Sequence, residues 1–354
     1  VTTDLDEALA RLGRVRAPGD LFGADAAEAA RRYRRLARLV HPDATSGRTR
    51  EAFVRLNALW RAYKEADAAV ITTGRRAYRL TTAPPVHGDL AELYEAETGP
   101  APRRVLLKMP RDRRDGDLIE REAAALRRLR ADGDPRLRPY APELVESFRH
   151  RDAATGAERR VNALAALDGF HSLEDVAAAH PDGLDPRDAA WMWRRLLVAL
   201  GYAHRAGVLH GAVLPDHVLI HPAEHGLVLV DWCYSVTSPA RGPYADRGGR
   251  VPALVDRYAG LYPPEVAARR PAGPGTDIAM ATGCMTRLMG ERAPKALRSF
   301  ARGCLPPALG RRPSDAWRLL AELDDLLGRL YGPRRFRPFH LPPRTPSGAP
   351  APGR

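Results

Sequence analysis

Lysine occurs only at Lys64, Lys108 and Lys295, although the chain holds 56 basic residues; every other one is arginine. Codon usage in a GC-rich genome is the plain explanation for that bias, and it makes a lysine at a chemically useful position informative. Lys108 stands near the end of Arg104 to Met109, where the branched residues Val105 and Leu107 alternate as in a strand. Ile119, Glu122, Leu126 and Leu129 then follow helical spacing, which turns Glu122 rather than Glu120 toward an interior. Farther on, His210, Asp216 and His217 crowd one stretch, and Asp231 follows the apolar run Leu227 to Val230. Imidazole titrates near neutrality and prefers softer metals than carboxylates do. A third set, His41-Pro42-Asp43, lies between two amphipathic segments near the N-terminus.

The elements that position this third set read as helices. Ala29, Tyr33, Leu36, Ala37 and Val40 share one face at about 100° per residue, and Arg31, Arg35 and Arg38 take the opposite one. Pro42 ends the helix, because it has no N–H to donate and disfavours helical geometry at His41. Phe53, Leu56, Trp60 and Tyr63 mark a second amphipathic helix. Two helices joined by a His-Pro-Asp turn, with a Tyr-Arg-x-Leu-Ala run at Tyr33 to Ala37, resemble the J-domain of DnaJ-type co-chaperones over residues 18–66. The resemblance implies an all-α domain that docks on a DnaK-type chaperone and stimulates its ATP hydrolysis. It gives that role to Arg31, Arg35, Arg38, His41, Pro42 and Asp43. The segment before the basic helix is compressed to Asp20-Leu21-Phe22-Gly23, and no fourth helix is evident after Tyr63.

Residues 67–82 read as a linker with a first strand, and residues 83–331 mix strand and helix patterns. Taken in order, the parts of that longer region resemble a protein kinase. Lys108 and Glu122 resemble the pair that holds the α- and β-phosphates of ATP. His210 to Ile220 resembles the catalytic loop, and Asp231-Trp232-Cys233 stands at the place of the metal-binding Asp-Phe-Gly. Pro263-Pro264-Glu265 resembles the end of an activation segment, Asp277-Ile278 opens a helix, and Arg312 resembles the arginine that pairs with that glutamate. Ala165 to Gly169 corresponds to the hinge. The resemblance implies an α+β bilobal fold with ATP and Mg2+ as ligands. It puts Gly88, Lys108 and Glu122 on the nucleotide, Asp231 and His217 at the metal, and Glu265, Asp277 and Arg312 in structural roles.

The departures bear on function. Kinases place an aspartate where Ala212 stands, and a methyl group can neither orient a substrate hydroxyl nor accept its proton. Asp216 is a candidate substitute. His217 replaces the asparagine that holds a second Mg2+. The stretch Val86 to Tyr94 keeps one glycine, Gly88, and carries Asp89 and Glu92, which repel phosphate if they point inward and so weaken nucleotide binding. This mixture reads as a pseudokinase that binds a client protein or a nucleotide, joined to a J-domain in a bacterial co-chaperone-like adaptor. The alternative is a divergent Ser/Thr protein kinase regulated by its J-domain. A small-molecule phosphotransferase, suggested by His210-Gly211, is opposed by the set Glu265, Asp277 and Arg312.

With 354 residues at 44% hydrophobic content, the chain has room for two domains of ordinary size. The net charge of +13 favours acidic partners without naming one, and nucleic-acid binding rests on that charge alone. Cys233, Cys284 and Cys304 lack the spacing of a zinc site or a disulfide framework and read as reduced core residues. No run approaches the roughly 18 to 20 apolar residues of a membrane span, and the chain opens on Asp4, Asp6 and Glu7, so a cytoplasmic, membrane-free protein is expected. Residues 332–354, rich in Pro, Arg and Gly, read as a disordered tail.

Overall fold

Leu5, Ala8, Leu9, Leu12 and Val15 recur at helical spacing and fold the N-terminus into a helix that the sequence reading, which begins the domain at residue 18, does not anticipate. The computed structural model describes residues 2–15, 18–23, 26–42, 49–66, 70–151, 156–237 and 249–341. Among the described residues four helices come first: α1 (Thr2–Arg14), α2 (Pro18–Phe22), α3 (Ala26–Leu39) and α4 (Arg50–Ala66). They share a core of Ala8, Leu12, Leu21, Phe22, Ala29, Val40, Leu56 and Tyr63. Trp60 stacks on Tyr33 at 4.7 Å between ring centroids and meets Phe22 edge-on at 5.0 Å. Helix α3 stops at Leu39, as the following proline requires, and Thr49 donates its hydroxyl to the Val40 carbonyl at 2.8 Å.

The chain divides into two units: residues up to 85 with 94–104, and residues 86–93 with the chain from 105 onward. The first unit also holds the hairpin of β1 (Val70–Thr72) and β2 (Ala77–Leu80). The span expected as a linker with one strand therefore has two, and Tyr78 is fully buried. β2 pairs with the end of β4 (Ala91–Thr98), Tyr78 opposite Thr98.

In the second unit β3 (Val86–His87) pairs with the start of β4. β5 (Arg103–Pro110), β6 (Leu144–Arg151) and β7 (Glu158–Ala165) run antiparallel, with β7 in the middle. α5 (Gly116–Asp132) lays Ile119, Glu122, Leu126 and Leu129 inward. The remaining elements are β8 (His171–Ser172), α6 (Leu173–Ala179), α7 (Pro186–Arg205), β9 (Val208–Leu209), β10 (Val218–His221), β11 (Gly226–Leu229), β12 (Val236–Thr237), α8 (Pro264–Ala267), α9 (Pro274–Met289), α10 (Lys295–Cys304) and α11 (Ala316–Tyr331). β8, β10 and β11 form a small sheet with β10 central, and β9 pairs with β12. Asp185 and Pro186 start α7, the carboxylate accepting from the Arg187 N–H. Trp193, Leu196, Leu197 and Leu200 then sink into the main core. The protein is of the α+β class. Among the described residues no helix is long and apolar enough to cross a membrane.

One expectation is corrected. Within residues 332–341, placed in a disordered tail, Phe339 is buried in the core and meets Trp191 at 6.0 Å, with Leu341 packed beside that core; an isolated aromatic among prolines leaves no periodic signal. The rest of that tail lies outside the described residues. His225, in the turn between β10 and β11, is buried and stacks on Trp191 at 4.2 Å. The three cysteines are buried and free.

Candidate functional site

Strand period puts the Lys108 side chain on the face of β5 that α5 covers. The ammonium lies 3.0 Å from Glu122 Oε1 and 2.9 Å from Asp231 Oδ1. Glu122 is fully buried, while Glu120 is on the outside with Arg160. Asn162 on β7 holds the other Glu122 oxygen, donating to Oε2 at 2.9 Å and to the Ile119 carbonyl at 2.8 Å. Burial disfavours the Lys108 charge, but Asp231, Cys233 and Glu122 outweigh it and raise the amine well above its ordinary pKa.

Asp231 follows β11 in the left-handed region (φ 63°), an uncommon conformation for a residue with a side chain. Burial would raise its pKa, yet Lys108 and His217 hold the carboxyl well below the usual range. His217 closes a turn of residues Pro215–His217. Its Nδ1 lies 2.8 Å from the Ala212 carbonyl, and its Nε2 lies 2.8 Å from Asp89 Oδ2 and 3.6 Å from Asp231 Oδ2. Burial works against the imidazolium, but Asp231, the bond to Asp89 and the Ala212 carbonyl raise its pKa. Asp89 therefore does point inward. Its loop is fixed by the Gly88 N–H on the Ala91 carbonyl at 2.8 Å and by Arg111, whose side chain donates to the Asp89 carbonyl. A Cβ on Gly88 would stand 3.1 Å from the Ala91 oxygen, so this glycine serves a tight turn.

Ala212 is fully buried. Asp216 accepts from the Tyr258 hydroxyl at 2.9 Å and pairs with Arg257, which also lies 3.6 Å from Asp89. Asp277 is a structural hub: its carboxylate accepts the His210 N–H at 2.8 Å and the Gly211 N–H at 2.9 Å, and His204 Nε2 is 2.9 Å away. Gly211 has φ +78°, and a Cβ there would meet the Tyr234 carbonyl at 2.3 Å, so only glycine fits. Arg312 grips Glu265 with two bonds of 2.6 and 3.0 Å, and Thr276 donates to the same carboxylate at 2.8 Å.

In the first unit Arg31, Arg35 and Arg38 are exposed on α3, which runs into His41 and Pro42; the His41 ring meets Phe53 edge-on at 5.1 Å. Asp43 lies outside the described residues. The sequence reading thus anticipates the pairs Lys108 with Glu122 and Glu265 with Arg312. It does not anticipate Asn162, Arg257, Tyr258, or the meeting of Asp89 with His217.

ATP with Mg2+ is the implied ligand. Mg2+ demands oxygen donors in near-octahedral array, whereas here an imidazole nitrogen stands against both carboxylates and Lys108 occupies the other Asp231 oxygen. The donor set does not fit Mg2+.

No protein-family model matches the chain. Over 45 residues the chain is 42% identical to the casein kinase II subunit alpha' of Saccharomyces cerevisiae, a stretch covering 13% of this chain and 13% of that protein. The chain thus matches far less than two thirds of that relative.

Proposed function

We propose that the second unit is a protein-kinase-like domain without phosphoryl-transfer activity, and that the N-terminal helices act as a J-domain-like module recruiting a DnaK-type chaperone. One observation carries the first half. The anchoring pairs of Lys108 with Glu122 and of Glu265 with Arg312 are formed, while the position that needs a base holds the buried methyl of Ala212. Asp216 is no free substitute, since Tyr258 and Arg257 occupy its carboxylate. The charge that would meet a phosphate is likewise engaged, because Lys108 sits between two carboxylates. The second half draws on the exposed arginine face of α3 leading to His41 and Pro42. In such an adaptor the kinase-like domain holds a client protein or a nucleotide, and the chaperone supplies the ATPase.

The purified protein should raise the steady-state ATPase rate of a DnaK-type chaperone, and Asp43→Asn should abolish the effect. Equal stimulation by both proteins rejects the chaperone role. The partial likeness to a protein named as a casein kinase subunit favours a second reading, a divergent Ser/Thr kinase. Incubation with γ-labelled ATP, with Mg2+ and Mn2+ in turn, separates the two. No label should reach the protein or a basic substrate; stoichiometric labelling that Asp231→Ala abolishes would establish the kinase.

A further inference from the structure

We propose that Asp89, His217 and Asp231 form a three-donor site for one borderline transition-metal ion, with Zn2+ bound in preference to Mg2+. The site stands on its own geometry and goes beyond the functional reading above. The three ligand atoms lie within 4.8 Å of one another. Ligands about 2.0 to 2.2 Å from Zn2+ stand roughly 3.3 Å apart at tetrahedral angles. The separations from His217 Nε2, 2.8 Å to Asp89 and 3.6 Å to Asp231, bracket that value. A small adjustment of the Asp89 side chain, replacing its hydrogen bond to His217, opens the space for an ion.

Three further features suit a metal. His217 is oriented from behind: its Nδ1 lies 2.8 Å from the Ala212 carbonyl, and an N–H there keeps Nε2 toward the two carboxylates, where an ion displaces its proton and takes the lone pair. Charge suits an ion as well. With His217 bound as a neutral imidazole, Asp89, Asp231 and Glu122 face one ammonium, Lys108, and a divalent cation meets the two negative charges that remain. Arg257 contributes little, being 56% exposed and already paired with Asp216. Access is open as well, since Asp89 and Asp231 keep 15% and 13% of their side-chain surface. One imidazole with two carboxylates favours Zn2+ over Mg2+ by ligand type and by the general affinity order of divalent metals.

The test uses the full chain freed of metal with a chelator, then titrated calorimetrically with Zn2+, Mn2+ and Mg2+, with Co2+ as a visible-absorption probe. About one Zn2+ per chain should bind, at least roughly tenfold more tightly than Mg2+. Asp89→Asn and His217→Gln should each weaken Zn2+ at least about tenfold, and His217→Gln should remove the Co2+ ligand-field band. Circular dichroism checks that both variants fold; Asp89→Asn, which conserves shape, carries the test if His217→Gln does not. Zn2+ binding no tighter than Mg2+ binding, or unchanged in the folded variants, overturns the proposal. So does binding lost only in Cys233→Ser, which would place the ion on the neighbouring set Glu122, Asp231 and Cys233. Neither readout involves ATP or a chaperone, so failure here and failure of the adaptor reading are separate events.

Discussion

His210 is wholly buried, and that burial lowers its imidazole pKa to about 4 despite the nearby Asp277. In an unfolded chain histidine titrates near about 6.5. Between these values the unfolded chain binds the extra proton, so stability falls as pH drops from about 6.5 to 4. His217 acts in the opposite sense: with its pKa raised, its contribution is complete below about 6.5 and fades as pH rises through the folded value. Comparing wild type with His210→Gln in urea melts isolates the first effect. From pH 7 to pH 5 wild type should lose about 2 kcal/mol more than the variant, on the order of the shift covered. Equal slopes would mean that His210 is not a neutral buried imidazole. Arg312 offers a pH-independent test. Arg312→Met leaves the buried Glu265 carboxylate without its partner and should cost about 3 to 5 kcal/mol in the same melts. A cost under about 1 kcal/mol would place that carboxylate in water.

Helices α7 and α11 meet where Gly201 faces Trp317, and a Cβ on Gly201 would fall 2.5 Å from the indole nitrogen. Alanine normally gains about 1 kcal/mol over glycine inside a helix. Gly201→Ala should instead destabilise the protein by about 1 to 2 kcal/mol, because the Trp317 ring must shift. A stabilised variant in thermal melts would refute this contact. The same elements show what a linear reading can reach. Glu122 was legible because helical period separates it from Glu120, and Lys108 because lysine is so scarce. Asn162 and Asp89 were not, since they meet Glu122 and His217 from 40 and 128 residues away in the chain. Only the fold brings such pairs together. Helix α1 shows a different limit: its stripe of Leu5, Ala8 and Leu12 was readable by period, but its acidic residues draw attention first.

Among the described residues, one cluster of buried apolar side chains lies within the N-terminal helices and another around α7 and α9. Separate cores imply separate cooperative transitions. Leu56→Ala should lower one calorimetric transition by about 2 to 5 kcal/mol and leave the other in place, with Leu200→Ala doing the reverse. A single transition displaced by both variants would show one cooperative unit. The buried Lys108 also makes the molecule easy to footprint. Acylating reagents attack neutral amines that they can reach, and this one is enclosed and held as ammonium between two carboxylates. Lys295, by contrast, is exposed. With so few lysines, a peptide map after brief acylation is almost free of background, and the appearance of label on Lys108 would time the opening of the site around it.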